Sequence, residues 1–216
     1  MFKKCIYILG ILNLYLLIIT LTISITINFS FIYNYEIDKL NIVHSTNLPK
    51  ETLYKNYKYL ITYLNSPKST ELSIPDFKNS YNGEYHFKQV RLLVHTNYIV
   101  NIISLFISIL FIIYSYKNNM LNKIKRPIML SMTFPIILLL IFSLDFNWFF
   151  NFFHKILFNN SYWIFNTSTD PVITMLPEKF FMDIFSASLL IYEFICIFLL
   201  FLIIAPNIIS EVCRKK

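Results

Sequence analysis

The sequence predicts an all-α membrane protein: one integral domain of four transmembrane helices, with two extracytoplasmic loops capping a site at the outer leaflet. Three observations predict it. Hydrophobic residues make up 56% of the chain and charged ones only 14%, apolar runs of spanning length recur, and basic residues gather in the shortest connections. A water-soluble domain with 22 Phe and 2 Gly would expose apolar patches of an aggregating size.

A spanning helix needs about 20 mostly apolar residues, and residues 6–33, 92–116, 128–147 and 184–209 qualify. The first run is the longest and has to tilt or extend beyond the hydrocarbon. Its basic start, Lys3-Lys4, is that of a signal peptide, but the apolar stretch is far longer than a signal core of about 7–15 residues. No small-residue cleavage site follows, so the run is expected to be retained. The third run is short and carries Pro135, tolerated in spanning helices because neighbours re-satisfy the freed carbonyl.

Orientation follows from the basic residues of short loops and tails. Lys3 and Lys4 flank the first run, Lys117, Lys123, Lys125 and Arg126 fill the second connection, and Arg214, Lys215 and Lys216 end the chain. Four spans with both termini cytoplasmic put all three clusters on one side. The long loop 34–91 has eight Lys/Arg against six Asp/Glu. The net charge of +7 is therefore a topology signal, and no nucleic-acid partner is called for. Cys5, Cys196 and Cys213 all lie outside the two external loops, which excludes a disulfide framework there.

Within loop 34–91, Leu53, Tyr57, Leu60 or Ile61, and Leu64 recur at helical spacing between Pro49 and Ser66-Pro67. This predicts an amphipathic helix, lying either on the membrane with its tyrosines among the headgroups or over the rest of the loop. Glu71 to Phe77 reads as extended, and Asn82-Gly83 as a turn delivering His86 to the second run. In that run Asn97, Asn101 and Ser104 form a polar stripe to be turned towards other helices. LDFNWFFNFF closes the third run with Asp145 near the membrane boundary. Glu193, within the fourth run, reads as a neutral or hydrogen-bonded carboxyl of the bundle.

The chemistry centres on histidine. His44 lies in a featureless loop and His95 inside the second run, where a surface or packed role suffices. His86 precedes the second run and His154 follows the third. Those runs are antiparallel and joined by a short connection, so their outer ends should meet. Two imidazoles at a membrane surface can exchange protons as base and acid near neutral pH. A metal would need further ligands, such as Asp145 or Asp170, and no H-E-x-x-H is present, so no metal site is expected. No G-x-S-x-G marks a nucleophile, and no glycine-rich phosphate loop calls for a nucleotide cofactor.

The pattern FHKILF, then Trp163, Asp170-Pro171 and LPEKFF, preceded by SIPDF and YHFKQVR, resembles the lipoprotein intramolecular transacylases of Gram-positive bacteria, as does the four-span plan. The resemblance implies an acyltransferase of the cell membrane acting on diacylglyceryl-modified lipoproteins. It would move the sn-2 acyl chain to the α-amine of the same cysteine and give an N-acyl lyso-form product, without a cofactor. The family's catalytic histidines fall on His86 and His154. An acidic residue three positions after the first histidine and a lysine two further on are expected, whereas this chain has Gln89 and Arg91. Holding amine and ester in one substrate supplies the entropic advantage of attack. His154 is then the expected general base and His86 the oxyanion or leaving-group partner. Asp145 or Asp170 would orient an imidazole, with Asp170-Pro171 equally a turn, and Trp163 with the surrounding phenylalanines would seat acyl chains or anchor the loop. The alternative is a non-catalytic tetraspan accessory that binds lipid or a membrane partner through the same loops.

Overall fold

The structure is a computed structural model that describes residues 2–68 and 71–214, with side chains to residue 204. The described chain is helical. Four helical stretches are long and apolar enough to cross a membrane: Phe2–Asn28, Tyr81–Lys117, Leu121–Leu144 and Glu178–Ile204. The chain divides into two compact units, one made of residues up to 23, 98–140 and from 188 on, the other of residues 24–97 and 141–187.

The first unit is built from spanning helices. Helix α1 (Phe2–Asn28) places Ile11, Leu14, Leu17 and Ile18 in a buried cluster with Phe111, Ile124, Ile128, Tyr192, Ile195 and Cys196. Phe111 belongs to α5 (Tyr81–Lys117), and its ring lies so close to Gly10 that a β-carbon there would overlap it. The predicted polar stripe does face another helix. Asn13 Nδ2 donates to the Ser104 carbonyl at 2.9 Å and Ser108 Oγ at 2.8 Å, and Asn101 Nδ2 donates to Thr20 Oγ1 at 3.0 Å. In lipid such pairs satisfy polar groups that have no water to turn to. Asn119, in the left-handed conformation at φ 55°, turns the chain from α5 into α6 (Leu121–Ser131).

The third run is broken. Pro135 has no N–H to give the Ser131 carbonyl and its ring crowds that oxygen, so the helix stops at Met132 and resumes as α7 (Thr133–Leu144). It ends before the expected residue 147, because Asp145 takes up extended geometry (φ −157°, ψ 95°) and caps a new helix, α8 (Phe146–Leu157).

The second unit folds around its own core. The first run also ends early: after α1 a turn at Ser30 leads into α2 (Phe31–Lys39), where Tyr33 is fully buried and donates its hydroxyl to the Met175 carbonyl at 3.0 Å. Tyr33 stacks on Tyr57 at 4.1 Å, and Phe180 meets both edge-on. Tyr57 belongs to α4 (Lys50–Asn65), which follows the short α3 (Ile42–Thr46). The apolar face of α4, Leu53, Tyr57, Leu60 and Leu64, lies in the core with Ile37, Leu72, Phe77, Phe87, Val172 and Met175. Of the two readings for this helix, the one that covers the loop holds. Val172 and Met175 bound α9 (Val172–Met175), which precedes α10 (Glu178–Arg214). The expected extended piece is reduced to one isolated bridge, Ile74 to Phe77.

Candidate active site

The expected turn at Asn82-Gly83 is instead the first turn of α5. The reason lies in Asp170, whose buried carboxylate accepts from the Ser80 backbone N–H and hydroxyl, both at 2.8 Å, and from the Thr169 hydroxyl at 2.8 Å. Ser80 Oγ in turn accepts from the Gly83 N–H at 3.1 Å, satisfying one of the donors that a helix start leaves open. A β-carbon on Gly83 would run into the Asp170 carboxylate. Glycine serves here by its smallness. The helix thus begins early and is 37 residues long, about 55 Å at 1.5 Å per residue against a hydrocarbon core of about 30 Å. Residues 81–91, with Glu84, Lys88 and Arg91, form its polar extension ahead of the apolar run.

His86 sits on that extension and is only 6% exposed. Phe158 and Phe165 meet its ring edge-on at 4.7 and 5.5 Å, and Phe87 lies at 5.8 Å. Its Nδ1 is buried with no hydrogen-bond partner among the described residues. Burial first, and then the neighbouring His154, push its pKa down to about 4. His86 is therefore a neutral imidazole at pH 7, with one N–H and one lone pair to offer.

His154 lies in the last turn of α8. Its ring centroid is 6.0 Å from that of His86, with the planes inclined at 38°. Trp163 stacks on one side at 4.8 Å and Phe150 lies at 4.1 Å. His154 Nδ1 is 2.8 Å from the Phe150 carbonyl. A carbonyl only accepts, so Nδ1 carries the proton and Nε2 keeps its lone pair. Burial lowers the His154 pKa, and the bond to Phe150 opposes that shift.

A relay joins the two helices. Asn160 Nδ2 donates to Gln89 Oε1 at 3.0 Å, and the Trp163 indole N–H donates to the Asn160 carbonyl at 2.9 Å. Gln89 stands one turn after His86, and Trp163 stacks on His154. Of the predicted site residues, His86, His154 and Trp163 come together and Gln89 is tied to them. The other three are engaged elsewhere. Asp145 is exposed and accepts from the Trp148 N–H at 2.9 Å, capping α8, and Asp170 anchors α5. Arg91 grips the Ser66 carbonyl at 2.6 and 3.1 Å, and the Lys68 carbonyl, beside the Tyr63 ring. No carboxylate contact to either imidazole is made by these two acids, so the expected orienting carboxylate is replaced by the Phe150 carbonyl. His95 Nε2 meets the Leu64 carbonyl at 3.1 Å and His44 is exposed. Asn160 was not marked by the sequence, and Phe158 and Phe165 were marked only as phenylalanines around Trp163, not as neighbours of His86. Only Asn159-Asn160-Ser161, a turn-forming cluster, hinted at a loop that needs fixing.

Four spanning helices and a pair of neutral imidazoles in an aromatic cage define a multi-pass membrane protein with the parts of an acid–base site. The chain belongs to the lipoprotein intramolecular transacylase family, whose sequence profile, that of lipoprotein intramolecular transacylase Lit, matches residues 8–181. It is accordingly an acyltransferase. Solved structures of the membrane-integral transacylase Lit from Bacillus cereus are similar over nearly the whole chain. One is 29% identical with a TM-score of 0.86, covering 96% of this chain and 98% of that one. A form with one histidine replaced by arginine is 30% identical, with a TM-score of 0.82 and coverage of 97% and 95%. A form with that histidine replaced by alanine is 30% identical, with a TM-score of 0.84 and coverage of 100% and 96%. A comparison with curated proteins gave no match.

Proposed function

We propose that this chain moves the sn-2 acyl chain of a diacylglyceryl-cysteine lipoprotein to the α-amine of the same cysteine, with His154 as general base and His86 as its electrophilic partner. The observation that carries this is the tautomer of His154. Its Nδ1–H is held by the Phe150 carbonyl at 2.8 Å, which leaves the Nε2 lone pair free to take a proton from the amine as nitrogen attacks the ester carbon. The ester oxygen then carries negative charge, which the N–H of a neutral His86 can stabilise within a dry aromatic surround. Collapse breaks the carbon–oxygen bond to glycerol, the leaving oxygen takes the proton back, and an amide and a free hydroxyl result. Replacement of one histidine in two structures of the Bacillus cereus relative is in keeping with a histidine-dependent reaction.

The site belongs, in this reading, to the extracytoplasmic face of the cell membrane, with both termini cytoplasmic. The basic clusters of the tails and of the short connection after α5 support that orientation. The test is mass spectrometry of lipoprotein N-terminal peptides from cells with and without the protein. N-acyl, monoacylglyceryl cysteine should appear only with the intact protein and vanish with His154→Ala and His86→Ala that still reach the membrane. Diacylglyceryl peptides unchanged by the expressed protein would leave the accessory reading in its place.

A further inference from the structure

Helix α8 is not one of the four spanning helices, and ten of its twelve residues fall into three stripes. His154, Asn147, Asn151 and Lys155 lie along one side. Phe146, Phe149 and Phe150 occupy the next, covered by Phe142 at 6.0 and 5.8 Å, Phe185 at 4.9 Å and Phe181 at 5.5 Å. The third stripe is Trp148, Phe152 and Ile156 at four-residue spacing. Trp148 stacks on Phe152 at 5.2 Å with their planes within 8°, yet these residues are 54%, 48% and 66% exposed. No described element covers them. Unoccupied apolar stripes of this size on a protein surface mark an interaction site.

The occupant follows from what α8 is attached to. A single extended residue, Asp145, separates α8 from α7, whose last residue, Leu144, is exposed on the same run of chain. The lipid that surrounds α7 therefore begins one residue from α8. The composition of the stripe fits the boundary between headgroups and acyl chains. Tryptophan concentrates at that depth, and Lys155, exposed beside Trp148 on the helical wheel, can lay its stem on the apolar face and carry its ammonium to a lipid phosphate. The Phe142, Phe146, Phe149 and Phe185 contacts fix the tilt of α8 from behind.

We propose that α8 docks into the bilayer, with Trp148, Phe152 and Ile156 inserted at the headgroup–acyl boundary of the membrane that the four helices cross. Amphipathic helices of this kind sink their apolar face about 5–10 Å into that boundary. His154 stands on the side of α8 adjoining the covered stripe, so the depth of the docked face sets the height of its imidazole above the acyl chains. That consequence rests on the acyl-transfer reading, whereas the docking itself does not.

The test uses the full chain in vesicles of mixed phosphatidylglycerol and phosphatidylcholine, with bromine placed on the acyl chains near their carbonyl ends. The chain has two tryptophans, and Trp148→Phe isolates the emission of Trp148 by difference while the buried Trp163 reports that the fold is kept. Brominated lipid should remove the larger part of the Trp148 emission, and aqueous iodide little of it. Bromine moved to the methyl ends should quench it less. Emission quenched by iodide and indifferent to brominated lipid would put the stripe in water and overturn the proposal. Emission indifferent to both would put it under protein, as in a second copy, and overturn it equally. Quenching needs no turnover, so an inactive enzyme that is still quenched by lipid would sink the reaction and leave the docking, and the reverse result would do the opposite.

Discussion

Nδ1 of His154 donates to the carbonyl oxygen of Phe150, one helical turn earlier, across 2.8 Å. A backbone acceptor of this kind orients the ring and selects its tautomer without adding a negative charge. The imidazole is not made more basic by a carboxylate, and burial is the dominant influence on both histidines. Their pKa values are lowered from the ordinary 6.5, that of His86 to about 4. The acid limb of activity should therefore lie below pH 6.5. The sign for stability is the same. As pH falls below 6.5 the unfolded chain takes up protons before the folded one, so the full contribution is present above 6.5 and is lost towards pH 4. Initial rates of N-acyl product formation and thermal unfolding in detergent, both followed from neutral to about pH 4, check this. An acid limb centred above 6.5 would count against His154 as the base.

Asp170 acts on the site from a distance by fixing where α5 begins. Asp170→Ala removes the acceptor for the Ser80 N–H and hydroxyl, and leaving a part-buried donor unmade costs about 1–3 kcal/mol. Asp170→Asn keeps one carboxyl-like oxygen and should fall between. Gly83→Ala pushes a methyl group into the same carboxylate and should resemble Asp170→Ala. Thermal unfolding should place Asp170→Asn between the parent and the pair Asp170→Ala and Gly83→Ala, with N-acylation falling in parallel because His86 lies in the next turn. Unchanged stability in Gly83→Ala would mean that the carboxylate can move aside.

Gln89 holds Asn160, and Asn160 holds Trp163 against His154. Gln89→Leu should therefore lower the rate of acyl transfer by more than it lowers stability, since it frees the Trp163 loop without opening the core. Gln89→Glu keeps the acceptor and strengthens the bond from Asn160, so activity at neutral pH should persist. The new carboxylate, three residues after His86 on the same helix, favours an imidazolium, and the acid limb of the pH profile should move upward. A profile that stays in place would show that the glutamate turns away from the ring.

Much of this was legible in the chain itself. The four spans follow from the length of the apolar runs, the meeting of His86 with His154 from two antiparallel runs joined by a short connection, and the α4 stripe of Leu53, Tyr57, Leu60 and Leu64 from a periodicity that survives folding because burial requires it. Where the sequence misled, a tertiary partner had overridden a local signal. Asn82-Gly83 reads as a turn until Asp170, 87 positions further along in the numbering of the chain, caps the helix that Gly83 then joins. Asp145 reads as the polar end of a span, but it stops α7 and starts α8, because a short carboxylate can cap a helix as well as face water. Asn160 had no pattern to betray it, and Phe158 and Phe165 stood out only as aromatics around Trp163, with nothing to set them against His86. Their role comes from a loop whose path no period describes.

The charged cluster of the second unit gives a last prediction that turns on desolvation. Lys39 Nζ lies 3.1 Å from Glu36 Oε1 and 2.7 Å from Asp183 Oδ2. Glu36 is buried, its Oε2 has no partner among the described residues, and burial foremost raises its pKa. A carboxyl with a raised folded pKa holds its proton longer in the folded chain, so its contribution is largest below 4.5 and is lost as pH rises through the folded value. At neutral pH Glu36 is a burden that Lys39 offsets, and Glu36→Gln alone should be neutral or stabilising. Lys39→Met leaves two carboxylates facing one another. Breaking a fully buried pair costs about 3–5 kcal/mol, and because the Lys39 side chain is 37% exposed the loss should be nearer ~1–2 kcal/mol after solvent screening. Adding Glu36→Gln to Lys39→Met should then restore most of the lost stability, since the stranded charge is gone. Denaturation of the single and double variants in one detergent gives the coupling directly. If the double variant is as unstable as Lys39→Met, the lysine acts through something other than Glu36, such as its ammonium over the Tyr35 ring at 5.8 Å.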